Sequence, residues 1–232
     1  MIIGNGMMAT KFAKYKNDKN IIIFASGVSN SKETVLSEFA REFNLLKDVV
    51  LKHSGKTIVY FSTSSMYDPI EKNSTYVQHK LEMENYIQNN VSKYYIFRIS
   101  QVIGRAKNNT LINFIINNIL LDKEFEVWSR ATRNLIAIDD VYKIIDYIIT
   151  NEIKPNKIIN IANPENISVI KSIELVESVL RKNAIYTLTP HGFPFENIDI
   201  SEIKDIIKEL NINFGQDEYY TNAINSIINY NE

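Results

Sequence analysis

The stretch TIVYFSTSSMYDPIEKNSTYVQHK, residues 57–80, decides the fold. Thr57 to Phe61 are all β-branched or aromatic and read as a strand. Ser62-Thr63-Ser64-Ser65-Met66-Tyr67 crowds hydroxyls at the strand's end, and Tyr76 to Ile87 reads as the helix that follows. Outward on the C-terminal side, Tyr94 to Ile99 is another strand. On the N-terminal side, Ile21 to Ala25 is a continuous apolar run bounded by Asn20 and Gly27, a strand buried on both faces and central in a parallel sheet. Between it and Thr57, Asn30 and Glu33 resemble a capping box, and Leu36, Phe39, Ala40, Phe43 and Val50 recur with helical spacing. Met1 to Ile3 is a further strand, running through a glycine turn into a helical stretch that ends near Tyr15. Strand and helix alternate, which predicts a doubly wound α/β sheet with right-handed crossovers.

Beyond Gly104 the alternation loosens and a second lobe is expected. A helix at Leu111 to Leu121 precedes strands at Phe125 to Trp128 and Leu135 to Ile138. Asp139 and Asp140 fall where a helix N-terminus favours carboxylates, followed by an apolar stripe of Val141, Ile144, Ile145 and Ile148. Lys157 to Ile161 reads as a strand, and later helices are predicted at Val169 to Lys182, Ser201 to Leu210 and Asp217 to Asn229. Residues 1–105 are the expected core, and residues 106–232 the lobe, interleaved with the last core strand and helices.

Composition narrows the function. At 232 residues and 45% hydrophobic, the chain can bury a full core. With 26 Lys and Arg against 27 Asp and Glu, it carries no net field to recruit nucleic acid or an anionic membrane. The absence of cysteine removes disulfides, thiolate zinc sites and cysteine nucleophiles, and suits a reducing cytoplasm. No signal peptide or membrane-spanning run is evident, so Asn73-Ser74-Thr75 and Asn166-Ile167-Ser168 read as chance glycosylation patterns. His53, His79 and His191 lack metal-ligand spacing, and no metal is expected.

Two constellations carry chemistry. Gly4-Asn5-Gly6-Met7-Met8-Ala9 fits G-x-G-x-x-G/A, in which glycines make a tight turn and admit a pyrophosphate to the N–H groups of the next helix. The acidic residue that pattern places about twenty positions on, for a ribose hydroxyl, is absent from Ile21-Ile22-Ile23-Phe24-Ala25-Ser26. The second constellation is Tyr76 and Lys80, one helical turn apart, so that an ammonium can approach a phenol. A phenol tuned by a nearby charge can exchange a proton near neutral pH.

The hydroxyl cluster and the Y-x-x-x-K pair resemble those of extended short-chain dehydrogenases/reductases, which include sugar-nucleotide epimerases, dehydratases and reductases. This chain is identified as a shortened member. The resemblance implies a Rossmann-type doubly wound sheet, reduced in strand number, with a small C-terminal substrate lobe. It assigns catalysis to Thr63, Tyr76 and Lys80. It gives the cofactor Gly4, Asn5, Gly6, Met7, Met8, Ala25, Ser26, Gly27, Ser62 and Ile99, besides Tyr76 and Lys80. Substrate contacts fall to Ser64, Ser65, Gln101 in place of the family's asparagine, Trp128 as a base-stacking candidate, and Arg133 as the diphosphate clamp. The implied cofactor is NADPH or NADH, with NADPH favoured, in a cytoplasmic homodimer acting on a nucleotide sugar for surface polysaccharide or capsule.

The chain also departs from the family. A strand-helix-strand that normally follows the first helix is missing, since only Lys16 to Asn20 intervene; the wall around adenosine goes with it. Val77 and His79 replace small residues, and Ser64-Ser65 stands where a dehydratase carries Asp-Glu. Fewer adenosine contacts favour a cofactor exchanged at each turnover, so the expected activity is reduction of a keto group on a nucleotide-activated sugar. The alternatives are an epimerase with tightly held NAD and a nonenzymatic nucleotide sensor on the same fold.

Overall fold

The computed structural model describes residues 1–28, 30–106 and 110–228. In chain order, β1 (Ile2–Ile3), α1 (Met7–Lys11), β2 (Ile21–Phe24), α2 (Leu36–Lys52), β3 (Thr57–Thr63), α3 (Thr75–Asn90) and β4 (Tyr94–Ile99) build the core. The second half adds β5 (Gln101–Ile103), α4 (Leu111–Leu120), β6 (Phe125–Trp128), β7 (Thr132–Arg133), β8 (Leu135–Ala137) and α5 (Ile138–Thr150). It closes with β9 (Lys157–Ile161), β10 (Ile167–Ser168), α6 (Val169–Leu180), β11 (Tyr186–Thr189), α7 (Lys204–Glu209) and α8 (Asp217–Ile228).

Five strands form one parallel sheet in the order β1-β2-β3-β4-β9. Its interior strands are apolar on both faces because helices cover both. Ile22, Phe24, Ile58, Tyr60 and Ile96 pack against Leu46 and Val49 of α2 and Met83 and Ile87 of α3. Ile23, Val59, Phe97 and Ile159 pack against Phe12, Tyr15 and the α5 stripe of Val141, Ile144, Ile145 and Ile148. Phe12 is fully buried, its ring centroid 5.1 Å from Phe61 and 5.2 Å from Tyr142.

Among the described residues, β1 is the edge of this sheet. Every step from β1 to β9 moves the same way, yet the link from β1 to β2 lies on the Ile23 face while α2 and α3 lie on the Ile22 face. Equal steps over opposite faces have opposite hands. With α2 and α3 in the common right-handed crossovers, β1-α1-β2 is left-handed, and so is the step into β9 through α5, which packs on the Ile23 face as well, contrary to the uniform hand expected from the alternation.

The second lobe has its own core, in which α4, α6 and α8 enclose Phe125, Val127, Leu135 and Ile167. Three two-stranded pairs edge it: β5 with β8 and β6 with β11, both parallel, and β7 with β10, antiparallel. The Tyr219 hydroxyl ties α8 to the start of α5, accepting the Ala137 N–H at 2.8 Å. Replacing Tyr219 with Phe is expected to lower stability by about 1 kcal/mol, read as a lower melting temperature, because it strands the Ala137 N–H.

Several boundaries differ from those predicted. The Asn30 side chain accepts the Lys32 N–H, and Glu33 accepts those of Thr34 and Val35. Both side chains are thus committed to a turn, and α2 begins at Leu36 without a side-chain cap. The segment toward Tyr15 becomes a 3-10 turn, Ala13–Asn17. Strands β5, β7, β10 and β11 are additional, α7 is shorter than predicted, and Asn229, the predicted last residue of α8, lies outside the described residues.

Candidate functional site

The candidate residues gather at the C-terminal ends of β1 to β4. There Gly4 adopts φ +119°, and a Cβ on it would stand 2.4 Å from the Ala25 carbonyl oxygen. Only glycine permits this approach of the first turn to the end of β2. Around Gly6, at the N-terminus of α1, a Cβ would meet nothing within 4 Å. Of the residues after it, Met7 turns its sulfur against Gly104, and Met8 packs on the core.

At the end of β3 the Thr63 and Ser65 hydroxyls lie 2.9 Å apart, and Thr63 Oγ1 accepts the Ser65 N–H at 3.0 Å. Two hydroxyls sharing one hydrogen bond leave one proton free for another oxygen. Ser64 is buried, and its N–H bonds the Ile99 carbonyl. Ser62 points under the site, donating at 2.5 Å to Glu84, which also takes a two-pronged contact from Arg98 at 2.9 and 2.6 Å. Ile99 faces the core, and beyond it the buried Ser100 hydroxyl has no hydrogen-bond partner among the described residues.

Helix α3 starts at a Ser74 cap that accepts the Val77 N–H at 3.2 Å, which places Tyr76 and Lys80 one turn apart on its buried side. The Tyr76 ring packs with Val28, Phe39 and Val77. No hydrogen bond reaches its hydroxyl from the described residues. Lys80 Nζ stands 5.7 Å from the centre of the Tyr76 ring and 5.3 Å from that of Tyr60.

The ammonium of Lys80 is engaged elsewhere. It donates at 2.9 Å to Glu42 of α2, whose other oxygen takes the Val28 N–H at 2.8 Å and faces His79 Nε2 at 3.0 Å. Burial alone would raise the Glu42 pKa. The Lys80 charge, hydrogen bonds from His79 and Lys80, and the Val28 N–H outweigh it and hold the carboxyl down to about 2. Gly27 lies against this pair: a Cβ there would be 2.6 Å from Glu42 Oε1 and 3.0 Å from Lys80 Nζ. Sequence reasoning missed Glu42. The available signal was its place in the stripe Phe39, Glu42, Leu46, Val49, which α2 buries.

On the lobe side, the Gln101 N–H bonds the Asn134 carbonyl, and Gln101 lies opposite Leu135 in the β5–β8 pair. Arg133 Nη1 lies 3.9 Å from the buried carboxylate of Asp68, a residue not anticipated, on the loop that follows Tyr67. Burial pushes the nearby Glu71 carboxyl upward, with Asp68 adding to the shift and Lys32 and Arg133 opposing it. Trp128 is half-exposed, donates to Glu126 at 2.9 Å and meets His191 edge-on at 6.4 Å. Among the described residues no cluster of three or more His, Asp or Glu is placed to hold a metal ion, and no helix is long and apolar enough to cross a membrane.

The model of the NAD dependent epimerase/dehydratase family matches residues 20–162. Among solved structures, the fold is similar to that of UDP-glucose 4-epimerase from Thermus thermophilus in complex with NAD, with TM-score 0.71 and 14% identity over 95% of this chain and 81% of that one. UDP-glucose 4-epimerase from Bifidobacterium longum with NAD+ and UDP gives TM-score 0.71 and 16% identity over 95% and 80% of the two chains. The dTDP-glucose 4,6-dehydratase of Bacillus anthracis with NAD gives TM-score 0.67 and 14% identity over 97% and 78%. At such identities the likeness carries the fold. No curated protein matches the sequence.

Proposed function

The chain belongs to the NAD dependent epimerase/dehydratase family, and from that premise we propose that it is an NAD(P)H-dependent reductase of a keto group on a nucleotide-activated sugar. The observation that carries the reading is the Tyr76 hydroxyl. It is unclaimed by any described residue and held by a packed ring, one helical turn before Lys80.

The site's own residues fit a dinucleotide in part. The open approach over Gly6 and the tight turn at Gly4 suit a pyrophosphate, which the first N–H groups of α1 and the backbone of Asn5 would hold. Ala25, Ser26 and Gly27 would pass beneath the nicotinamide half. With β1 at the sheet edge, no described strand beyond it offers the acidic side chain that family members use on the adenosine ribose. A bound nicotinamide would supply a hydride for the keto carbon; Tyr76 would give its proton to the sugar oxygen, Thr63 or Ser64 would hydrogen-bond that oxygen, and Arg133 would take the substrate's diphosphate.

The weak adenosine side supports a reductase, which exchanges its cofactor at each turnover, over an epimerase, which retains it. Ser64-Ser65 in place of an acidic pair argues against a dehydratase. The reading extends to residues 1–105 as the cofactor-binding part and 106–232 as the substrate lobe. It also extends to NADPH as the preferred donor, and to a cytoplasmic homodimer in surface-polysaccharide synthesis, which rest on the resemblance alone. The test is a panel of keto-sugar nucleotides with NADPH and NADH, followed at the nicotinamide absorbance. Oxidation that depends on the keto substrate is the expected result. No oxidation across the panel, together with NAD retained through purification, would replace the reductase by an epimerase.

A further inference from the structure

A buried carboxylate stands behind the proposed proton donor, and the proposed chemistry does not ask for one. Glu42 is fully buried on α2. Four groups converge on it: the Val28 N–H at 2.8 Å from the loop after β2, Lys80 Nζ at 2.9 Å and His79 Nε2 at 3.0 Å from α3, and the Tyr60 hydroxyl at 3.3 Å from β3. Three positions are adapted to it. Gly27 has no side chain where one would strike both Glu42 and Lys80. His79, where the family keeps a small residue, holds one carboxylate oxygen and rests on Phe39, with ring centroids 4.8 Å apart. Tyr60 closes the remaining side.

In a Tyr–Lys pair the ammonium makes the phenol more acidic through its charge. Here that charge lies 2.9 Å from an opposite one and 5.7 Å from the centre of the Tyr76 ring. Two opposite charges so close act on a third group as a dipole, which is weaker than either charge alone. We infer that Glu42 is a positioning residue that fixes Lys80 toward α2 and offsets its charge at Tyr76. This rests on the proposed role of Tyr76 and deepens it. A reductase needs the phenol with its proton, whereas oxidation of an alcohol needs the phenolate. The titratable groups facing Glu42 are Lys80, His79 and Tyr60; those beside Tyr76 are Lys80 and Tyr60, with Glu84 acting on Tyr60.

The test follows the ionisation of Tyr76 itself, by NMR of the full chain carrying 13Cζ-tyrosine, with the signal assigned from Tyr76→Phe. Glu42→Gln keeps the shape of the side chain and removes its charge. Its Tyr76 midpoint is expected to fall by about one pH unit or more, since an uncompensated cation then faces the phenol. The double variant Glu42→Gln/Lys80→Met, which buries neither charge, is expected to return the midpoint close to the wild-type value. If Glu42→Gln does not fold, the double variant is read beside Lys80→Met. A midpoint close to wild type in the double variant with a raised one in Lys80→Met, where the Glu42 charge is left unbalanced, sustains the inference, and a double-variant midpoint raised by about a unit or more overturns it, because Lys80 was then acting unscreened. An unmoved midpoint in Glu42→Gln with a raised one in Lys80→Met overturns the role of Glu42 and leaves the Tyr76–Lys80 pair standing. An unmoved midpoint in all three variants removes both.

Discussion

Tyr76→Phe is expected to lower kcat by about 10²- to 10⁴-fold, the usual worth of a positioned general acid, while nicotinamide nucleotide binding and melting temperature stay unchanged. The substitution removes one oxygen that no described residue hydrogen-bonds and keeps the ring between Val28, Phe39 and Val77. Fold and chemistry therefore separate at this residue. Turnover with the best keto-sugar nucleotide and cofactor binding by fluorescence give the two readouts. A folded variant that turns over as fast as wild type would exclude Tyr76 as the donor.

The second large effect is on stability. Glu42→Ala leaves the Lys80 ammonium with its side chain only 5% exposed and no carboxylate beside it. Breaking a buried pair from one side costs about 3–5 kcal/mol, mostly for the stranded charge. Urea unfolding at neutral pH measures it. The wild type should lose a related amount in acid. Because the carboxyl is held at about 2 against an ordinary 4.5, its contribution is complete above the ordinary value and disappears as pH falls from there toward 2. That shift corresponds to about 3 kcal/mol. Glu42→Gln, which cannot titrate, should show a flatter stability profile across the same window, and an equally steep one would mean that other carboxyls carry the acid sensitivity.

Much of this architecture was legible because buried strands announce themselves. Tyr94–Ile99, Phe125–Trp128 and Lys157–Ile161 have the bounds predicted from their apolar runs. The short Lys16–Asn20 link implied the loss of strands beside β1, and β1 pairs directly with β2 at the sheet edge. The left-handed step from β1 to β2 followed from the same shortening but was hidden, since local sequence says which elements exist and not which face a helix crosses. Strand β11 escaped because Thr187 and Leu188 are exposed and its partner among the described residues, β6, is far away in sequence.

The site divides in the same way. Residues whose places follow from local spacing were legible: Tyr76 and Lys80 share a helical turn, and Thr63 ends its strand. Their long-range partners were not. A glutamate on a helix ordinarily faces water, so nothing local says that Glu42 is buried against His79 and Lys80. The approach of Arg133 to Asp68 joins the lobe to the loop after β3, and it too depends on the fold as a whole.

The central claim is that Tyr76 delivers a proton to a sugar carbonyl beside a bound nicotinamide. Its most direct measurement is mass spectrometry of the sugar nucleotide formed from a keto substrate and NADPH or NADH deuterated at C4 of the nicotinamide. The account predicts one deuterium on the carbon that bore the keto oxygen, with the label lost in Tyr76→Phe. A product carrying no deuterium from either cofactor, or one labelled equally well by Tyr76→Phe, would contradict it.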